Sequence, residues 1–228
     1  MRLGTTTWVM ASINRIVSDP ELANEVIILS AHYDHVGTSS DGEVYNGADD
    51  NGSGTCGLLA VAEALAEYGP MRRSVLLLWV SGEEKGLWGS QAWTSDPWLP
   101  EGCRAVCDIN IDMIGRNDPE QLLLTPTEEH EAYNGLARLV LELAPEEGFT
   151  RLDSADEYWR RSDHMNFNVN MGIPVAFLFT DVHEDYHRPT DTADLIDAGG
   201  MAVVAEAAHE AIAYLAERTE PLTVTITG

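Results

Sequence analysis

Residues 74–84 read Ser-Val-Leu-Leu-Leu-Trp-Val-Ser-Gly-Glu-Glu, an apolar run that ends in two adjacent carboxylates. A short, continuous apolar run closed by a glycine is typical of a strand that is buried on both faces of a parallel sheet. Binding sites in such sheets lie beyond the carboxyl ends of the strands. We therefore expect Glu83 and Glu84 to lie at the functional edge of a sheet.

Strand and helix patterns alternate along the rest of the chain. The predicted strands are 5–17, 25–31, 74–81, 105–111, 121–125 and 173–180, with 121–125 as an edge strand; the predicted helices are 53–68, 87–94, 129–143 and 199–217. This alternation predicts an α/β fold of three layers, in which helices cover both faces of a mostly parallel, mixed central sheet. There is no internal repeat or long linker, so we expect residues 1–228 to form one domain.

Composition restricts the possible partners. Hydrophobic residues make up 44% of the 228 residues, which is enough for a substantial core. The net charge of -25 argues against nucleic acid or an anionic membrane as a partner, because both require a positive surface. No apolar stretch reaches the ~20 residues of a membrane span, and no signal-peptide core is present, so the chain as given is expected to be soluble. The acidity fits high-salt adaptation, a GC-rich genome or a carboxylate-rich metal site.

Metal-type ligands follow several of the predicted strands. A site for two zinc ions, which can share a carboxylate and a water, needs about five protein ligands. His32, Asp50, Glu84, Asp112 and His187 supply this number. Asp34 lies on the same face of an extended segment as His32, so it can accept a hydrogen bond from the second imidazole nitrogen. Glu83 adjoins a ligand and is available to take a proton from water.

Five motifs occur in an order that is known from one enzyme family. They are Ser30-Ala31-His32-Tyr33-Asp34, the segment 46–54 (Asn-Gly-Ala-Asp-Asp-Asn-Gly-Ser-Gly), Ser81-Gly82-Glu83-Glu84, Asn110-Ile111-Asp112-Met113 and the segment 186–192 (Tyr-His-Arg-Pro-Thr-Asp-Thr). Over about residues 12 to 215 the chain resembles the co-catalytic di-zinc aminopeptidases, which include bacterial leucyl aminopeptidases and the catalytic domain of glutamate carboxypeptidase. The resemblance implies the phosphorylase/hydrolase-like fold of zinc exopeptidases.

The resemblance also implies how the ligands divide between two zinc ions per chain. One zinc takes His32 and Asp112, the other takes Glu84 and His187, and a bridging aspartate contacts both. Asp50 is preferred to Asp49 as the bridge because it directly precedes the Asn-Gly-Ser-Gly helix start, although an exchange of these two roles stays open.

Four further residues receive roles by the same resemblance. Glu83 is the expected general base, and Tyr186 is expected either to donate to the developing oxyanion or only to pack. Arg161 is expected to contact the substrate backbone or, alternatively, a surface carboxylate. His35 and His183 are expected to be loop residues near the site.

The function implied is a zinc exopeptidase that acts on a peptide substrate, in the first place an aminopeptidase with Glu83 as its base. Alternatives on the same fold are a carboxypeptidase, a dipeptidase or a glutaminyl cyclase, and an alternative of another class is a non-catalytic binding module. The chain starts almost at its first strand, whereas family domains commonly begin with helices. We therefore expect an N-terminally trimmed domain or one that is covered in a homo-oligomer. Family members are often exported, which leaves the cellular location open.

Overall fold

The computed structural model describes residues 9–14 as backbone only, residue 19, and residues 21–220. The strands are β1 (Val9–Asn14), β2 (Glu25–His32), β3 (Ser74–Val80), β4 (Arg104–Ile111), β5 (Gln121–Thr125), β6 (Arg151–Ser154) and β7 (Val175–Phe179). The helices are α1 (Gly54–Tyr68), α2 (Trp88–Ser95), α3 (Gly135–Leu143), α4 (His164–Met171) and α5 (Ala198–Glu217). The alternation of strands and helices predicted from the sequence is therefore confirmed.

All seven described strands form one sheet in the order β1-β3-β2-β4-β7-β5-β6. Strands β3, β2, β4 and β7 are parallel neighbours, and β5 is parallel to β6. Strand β1 is antiparallel to β3, and β5 is antiparallel to β7. The sheet is thus mixed and mostly parallel, as expected.

Helices cover both faces of this sheet. Leu58 of α1 and Ile212 of α5 belong to the larger buried cluster, together with Ile27 of β2. Trp93 of α2 and Phe167 of α4 belong to the cluster on the opposite face. Because successive side chains of a strand point to opposite faces, the continuous apolar runs of the inner strands fill both clusters. The three-layer arrangement places the carboxyl ends of the inner strands at one edge.

The structure corrects several boundaries. The helix predicted at 129–143 begins only at Gly135, because the Asn134 side chain accepts from the main-chain N–H groups of Leu136 and Ala137 and so caps it there. The strand predicted at 121–125 is not at the edge, since β6 pairs outside it. Of the strand predicted at 5–17, the structure describes residues 9–14, and the remainder lies outside the described residues.

Two elements were not predicted. Strand β6 has four residues and a largely exposed surface, so it has no apolar signature. Helix α4 reads His-Met-Asn-Phe-Asn-Val-Asn-Met, in which asparagines of low helix propensity replace an apolar stripe. Both elements are held by tertiary contacts that no local pattern reports.

No helix within the described part of the chain is long and apolar enough to cross a membrane.

Candidate metal centre

Three segments bring chemically active side chains to the carboxyl edge of the sheet. His32 is the last residue of β2, and Asp112 follows the end of β4. Glu83 and Glu84 lie in a short 3₁₀ turn shortly after β3. Because β2, β3 and β4 are parallel neighbours, these four side chains meet at one edge.

His32 forms a first group with two carboxylates. Its Nε2 lies 3.2 Å from Asp112 Oδ1 and 3.3 Å from Asp50 Oδ1, and the ring is almost completely buried. Burial opposes the protonated form, but the charge of Asp112 raises the pKa of His32 well above its usual value. An imidazole and two carboxylates thus converge in a buried space.

His187 forms a second group on the other side of Asp50. Its Nε2 lies 3.0 Å from Asp50 Oδ2 and 3.1 Å from Glu84 Oε2. These two contacts raise the pKa of His187 to about 10, against the effect of burial. The residue has φ 55°, a left-handed conformation that is uncommon outside glycine and costs on the order of 1–3 kcal/mol. The surrounding structure must offset this cost. Residues in such conformations cluster at active sites and ligand-binding sites.

Asp50 lies between the two groups, with each carboxylate oxygen facing a different histidine. Although burial would raise the pKa of Asp50, contacts with His187 and His32 hold it well below the usual range. Asp49 is committed elsewhere: its Oδ1 accepts from the Gly115 main chain at 2.7 Å, and its Oδ2 lies 3.1 Å from His183 Nε2. This arrangement favours Asp50 over Asp49 as a bridging ligand.

Asp34 contacts both His32 and the Glu83–Glu84 turn. Its carbonyl oxygen lies 3.0 Å from His32 Nδ1, whereas its carboxylate lies 3.6 Å from that nitrogen. The carboxylate instead accepts from the main-chain N–H groups of Glu83 at 3.2 Å and Glu84 at 3.4 Å. Asp34 therefore ties the Glu83–Glu84 turn to the end of β2.

Glu83 faces a pocket beside the two groups, in which Asp50 and Asp112 form the acidic part. Burial raises the pKa of Glu83 to about 9, and the nearby carboxylates Asp112 and Asp163 contribute to this shift. Apolar and aromatic side chains form much of the remaining wall of the pocket: Met113, Tyr158, Phe177, Phe179 and Val182.

Tyr186 and Arg161 lie together at the same pocket. The Tyr186 ring stacks on His187 with ring centroids 3.9 Å apart, and its hydroxyl accepts from the Arg161 guanidinium at 3.5 Å. Burial raises the pKa of Tyr186 to about 12, so its hydroxyl keeps its proton at neutral pH. A hydroxyl and a guanidinium thus face the space above the carboxylates.

Some residues of the site were missed by sequence reasoning. Ser162 donates from Oγ to Asp112 Oδ2 at 2.7 Å, and the Asn110 amide donates to Ser162 Oγ at 2.7 Å. Asp191 accepts through its carboxylate from the main-chain N–H groups of Asp49 and Asp50. Asn110 lies in the motif 110–113 and alternates with Asp112, which puts both side chains on one face of the sheet, but the motif does not indicate its contact with Ser162.

His35 lies in a loop near the site, as expected, and its side chain also contacts a candidate ligand directly. Its Nδ1 is 2.9 Å from Glu84 Oε1, and it forms a group with Asp50 and Glu84. The signal in the sequence was the His-Tyr-Asp-His spacing of residues 32–35. His183, the other histidine expected near the site, contacts Asp49 rather than either group.

The donor set fits zinc. Imidazole nitrogen and carboxylate oxygen are common zinc ligands, and the candidate ligand atoms within each of the groups His32-Asp50-Asp112 and His35-Asp50-Glu84 lie within 4.8 Å of one another. In addition, Glu84 Oε1 is buried without a hydrogen-bond partner. A buried carboxylate oxygen without a partner is costly, and a bound cation would offset that cost.

A larger cavity, of about 250 Å³, lies at the opposite edge of the sheet, where Glu25 begins β2 and Arg104 begins β4. Two of its three arginines are already engaged, since Arg73 and Arg104 both pair with Glu25. The pocket beside Glu83 is smaller, about 40 Å³, but Asp50 and Asp112 of the converging groups line it together with Glu83. The volume of a cavity therefore does not identify the candidate site in this chain, whereas the side chains that line the cavity do.

Solved structures share the fold. The aminopeptidase from Aneurinibacillus sp. strain AM-1 superposes with a TM-score of 0.75 at 23% identity, over 96% of this chain and 50% of that chain. Glutaminyl cyclase from Porphyromonas gingivalis superposes with a TM-score of 0.74 at 22% identity, over 91% of this chain and 77% of that chain. These similarities confirm the predicted fold class.

Curated proteins also match this chain in sequence. A protein described as a probable leucine aminopeptidase of Arthroderma otae is 28% identical over 205 residues, which cover 85% of this chain and 54% of the relative. Leupeptin-inactivating enzyme 1 of Streptomyces exfoliatus is 32% identical over 160 residues, 69% of this chain and 33% of that protein. The chain thus spans about half, or less, of the length of the curated relatives that it matches.

The family itself is defined by a match over most of the chain. The sequence profile of peptidase family M28 matches residues 12–212. This range contains all five motifs and all the candidate ligands. It confirms the family resemblance that the motifs indicated. The chain belongs to peptidase family M28.

Proposed function

We propose that this chain is the catalytic part of a zinc exopeptidase that removes the N-terminal residue of peptides. His32 and Asp112 would hold one zinc, Glu84 and His187 the other, and Asp50 would bridge the two. The observation that supports this most strongly is the position of Asp50, whose two carboxylate oxygens face His32 and His187 respectively. Bound zinc would supply Lewis acidity, which polarises a carbonyl and eases deprotonation of water.

The side chains of the pocket perform the remaining steps of this proposal. Glu83 takes a proton from the water that adds to the first peptide carbonyl carbon, and it returns that proton to the amine as the C–N bond breaks. With a pKa of about 9 in the chain alone, Glu83 would be protonated at neutral pH. Cations bound to the adjacent carboxylates would lower this pKa towards the value that a general base needs.

Tyr186 and Arg161 would act on the substrate rather than on the metal. The protonated Tyr186 hydroxyl would donate to the oxyanion that develops on the carbonyl oxygen. Arg161, which reaches Tyr186, would bind a carbonyl oxygen of the peptide backbone. Asp34 would keep the Glu83–Glu84 turn in place through its hydrogen bonds to both main-chain N–H groups.

The pocket also suggests the substrate class. Its acidic part, which includes Asp50, Glu83 and Asp112, complements a free α-amino group. Its aromatic walls complement an apolar first side chain. This agrees with the name leucine aminopeptidase that several relatives have.

A substrate screen with added zinc tests the proposal. Leucyl and phenylalanyl amides with a free amine should be hydrolysed, whereas their N-acetylated counterparts should not. Hydrolysis of N-blocked dipeptides at the C-terminal residue would support a carboxypeptidase instead. Ammonia release from N-terminal glutamine without peptide cleavage would support a glutaminyl cyclase, the activity named for one structure of this fold. A folded protein that binds no zinc and cleaves nothing would support a non-catalytic binding module.

A further inference from the structure

His35 occupies a position that the five proposed ligands leave unexplained. It follows β2 by three residues, and its side chain is 9% exposed. Its Nδ1 lies 2.9 Å from Glu84 Oε1 and 3.8 Å from Asp50 Oδ2, and its ring meets that of His187 edge to face. His35 therefore faces the same two carboxylates as His187.

The contact between His35 and Glu84 does not have the geometry of a hydrogen bond. Although 2.9 Å is a hydrogen-bond distance, His35 Nδ1 and Glu84 Oε1 both lack a partner of acceptable geometry, and so does His35 Nε2. A buried polar group without a partner costs about 1–3 kcal/mol, so such groups in a native site need an explanation. The two atoms are thus close together without forming a hydrogen bond.

A short separation without a hydrogen bond is what two ligands of a single metal ion show. For zinc bonds of about 2.0–2.2 Å, two donor atoms lie about 2.9 Å apart at a right angle and about 3.4 Å apart at the tetrahedral angle. The separation of His35 Nδ1 from Glu84 Oε1 is 2.9 Å, and His187 Nε2 lies 3.0 Å from Asp50 Oδ2 and 3.1 Å from Glu84 Oε2. These three distances fall near this range, whereas the 3.8 Å between His35 Nδ1 and Asp50 Oδ2 corresponds to a wider angle at the metal.

Packing keeps the His35 ring in place. Gly47 has φ 63°, and a Cβ there would lie 2.5 Å from His35 Cγ and 2.5 Å from the Asp50 carbonyl oxygen. Any other residue at this position would displace either the ring or the segment that bears Asp50. The glycine thus allows His35 and Asp50 to approach the same point, a role typical of glycine near binding sites.

We propose that His35 is a further protein ligand of the second zinc position, where Nδ1 joins Glu84, His187 and one oxygen of Asp50. The inference rests on the proposed function for the existence of that zinc position. The second position then has four protein donors, whereas the first has three: His32, Asp112 and the other oxygen of Asp50. Closed four-ligand sites are typical of firmly held zinc, and sites with three protein ligands keep room for water. The second position should therefore bind zinc first and more tightly.

Zinc titration of the metal-free protein against a chelator tests this inference without any assay of activity. His35→Ala should weaken one of the two binding events by at least about 100-fold, because loss of even an outer partner of a ligand costs about 10- to 100-fold. The other binding event should be unchanged. The matched control is His209→Ala, which removes a histidine of α5 that contacts Glu210 and the Tyr68 ring and belongs to neither group of candidate ligands, so it should leave both affinities intact.

His35→Gln distinguishes a ligand from a residue that only positions Glu84. The glutamine amide can still donate to Glu84 Oε1 but is a poor zinc ligand. We expect His35→Gln to be as impaired as His35→Ala. Recovery of wild-type affinity in His35→Gln, or unchanged affinity in His35→Ala, would overturn the inference.

X-ray absorption of the zinc-loaded wild-type protein gives a test that does not depend on how a substituted protein folds. The inference requires three imidazole ligands in total, one at the first zinc position and two at the second. A total of two imidazole ligands would contradict it. Failure of the proposed function would look different: the wild-type protein would bind no zinc, or it would bind zinc with three imidazoles and yet hydrolyse no peptide.

Discussion

Glu83 and Glu84 are neighbours in sequence, but their side chains face different partners. Glu84 contacts the imidazoles of His187 and His35, whereas Glu83 lines the pocket with Asp112. The Asp34 carboxylate accepts from the main-chain N–H groups of both residues and so holds the turn that bears them. This division supports Glu84 as the ligand and Glu83 as the proton carrier.

Replacement of Glu83 tests this division. Glu83→Gln preserves the shape of the side chain but cannot accept a proton, so kcat should fall at least ~10²-fold, the usual scale for loss of a general base. Zinc content should stay at the wild-type value, because an amide of the same shape would not disturb the ligands. Both quantities can be measured on one preparation, by turnover of a leucyl amide and by elemental analysis.

Glu63→Gln is the control for the change in charge, since Glu63 is exposed on α1. It should alter neither turnover nor zinc content. If Glu83→Gln lost zinc while Glu63→Gln did not, the roles of Glu83 and Glu84 would have to be exchanged.

At the scale of elements, the sequence predicts the inner sheet well and its outer part poorly. Strands β2, β3 and β4 are continuous apolar runs, because both of their faces are buried, and such runs are recognisable without any tertiary information. Strand β6 and helix α4 have no such pattern, since their neighbours rather than their own composition hold them in place.

The same distinction applies to the site. His32, Glu84 and Asp112 are recognisable because each lies at or just beyond the end of an inner strand. The contacts of His35 and Ser162 depend on how separate loops fold back onto these residues. Asp191 lies in the motif 186–192, but that pattern does not indicate which main-chain N–H groups its carboxylate accepts from.

Asp191 connects the loop that bears His187 to the loop that bears Asp50. It is fully buried, and its carboxylate accepts from the N–H groups of Asp49 and Asp50 at 3.0 to 3.2 Å. Asp191→Asn would turn an amide donor towards these N–H donors, which should cost about 1–3 kcal/mol of unfolding free energy. The thermal midpoint should fall by roughly 2–10 °C, as calorimetry of the zinc-free protein can measure.

Asp194→Asn provides the matched control for this prediction, because Asp194 lies three residues along the chain and is exposed. Its thermal midpoint should equal that of the wild type. An Asp191→Asn protein with an unchanged midpoint would mean that the two loops are held together by other contacts.

At the scale of the whole molecule, charge is the dominant feature. The chain has 38 acidic and 13 basic side chains, a net charge of -25. Only part of this excess lies in the metal centre, whereas acidic residues such as Glu63, Glu67, Glu128 and Glu129 are exposed. Repulsion among such charges destabilises a compact state, and dissolved salt screens it.

Stability should therefore rise with salt whether or not zinc is bound. Urea, which is uncharged, can measure this: the unfolding midpoint should increase when NaCl is raised from about 0.05 M to about 1 M, as the screening length falls to about 3 Å. A variant in which Glu63, Glu67, Glu128 and Glu129 are replaced by glutamine should show a smaller increase. If zinc loading alone abolished the increase, the repulsion would lie in the metal centre, and the surface acidity would have no effect on stability.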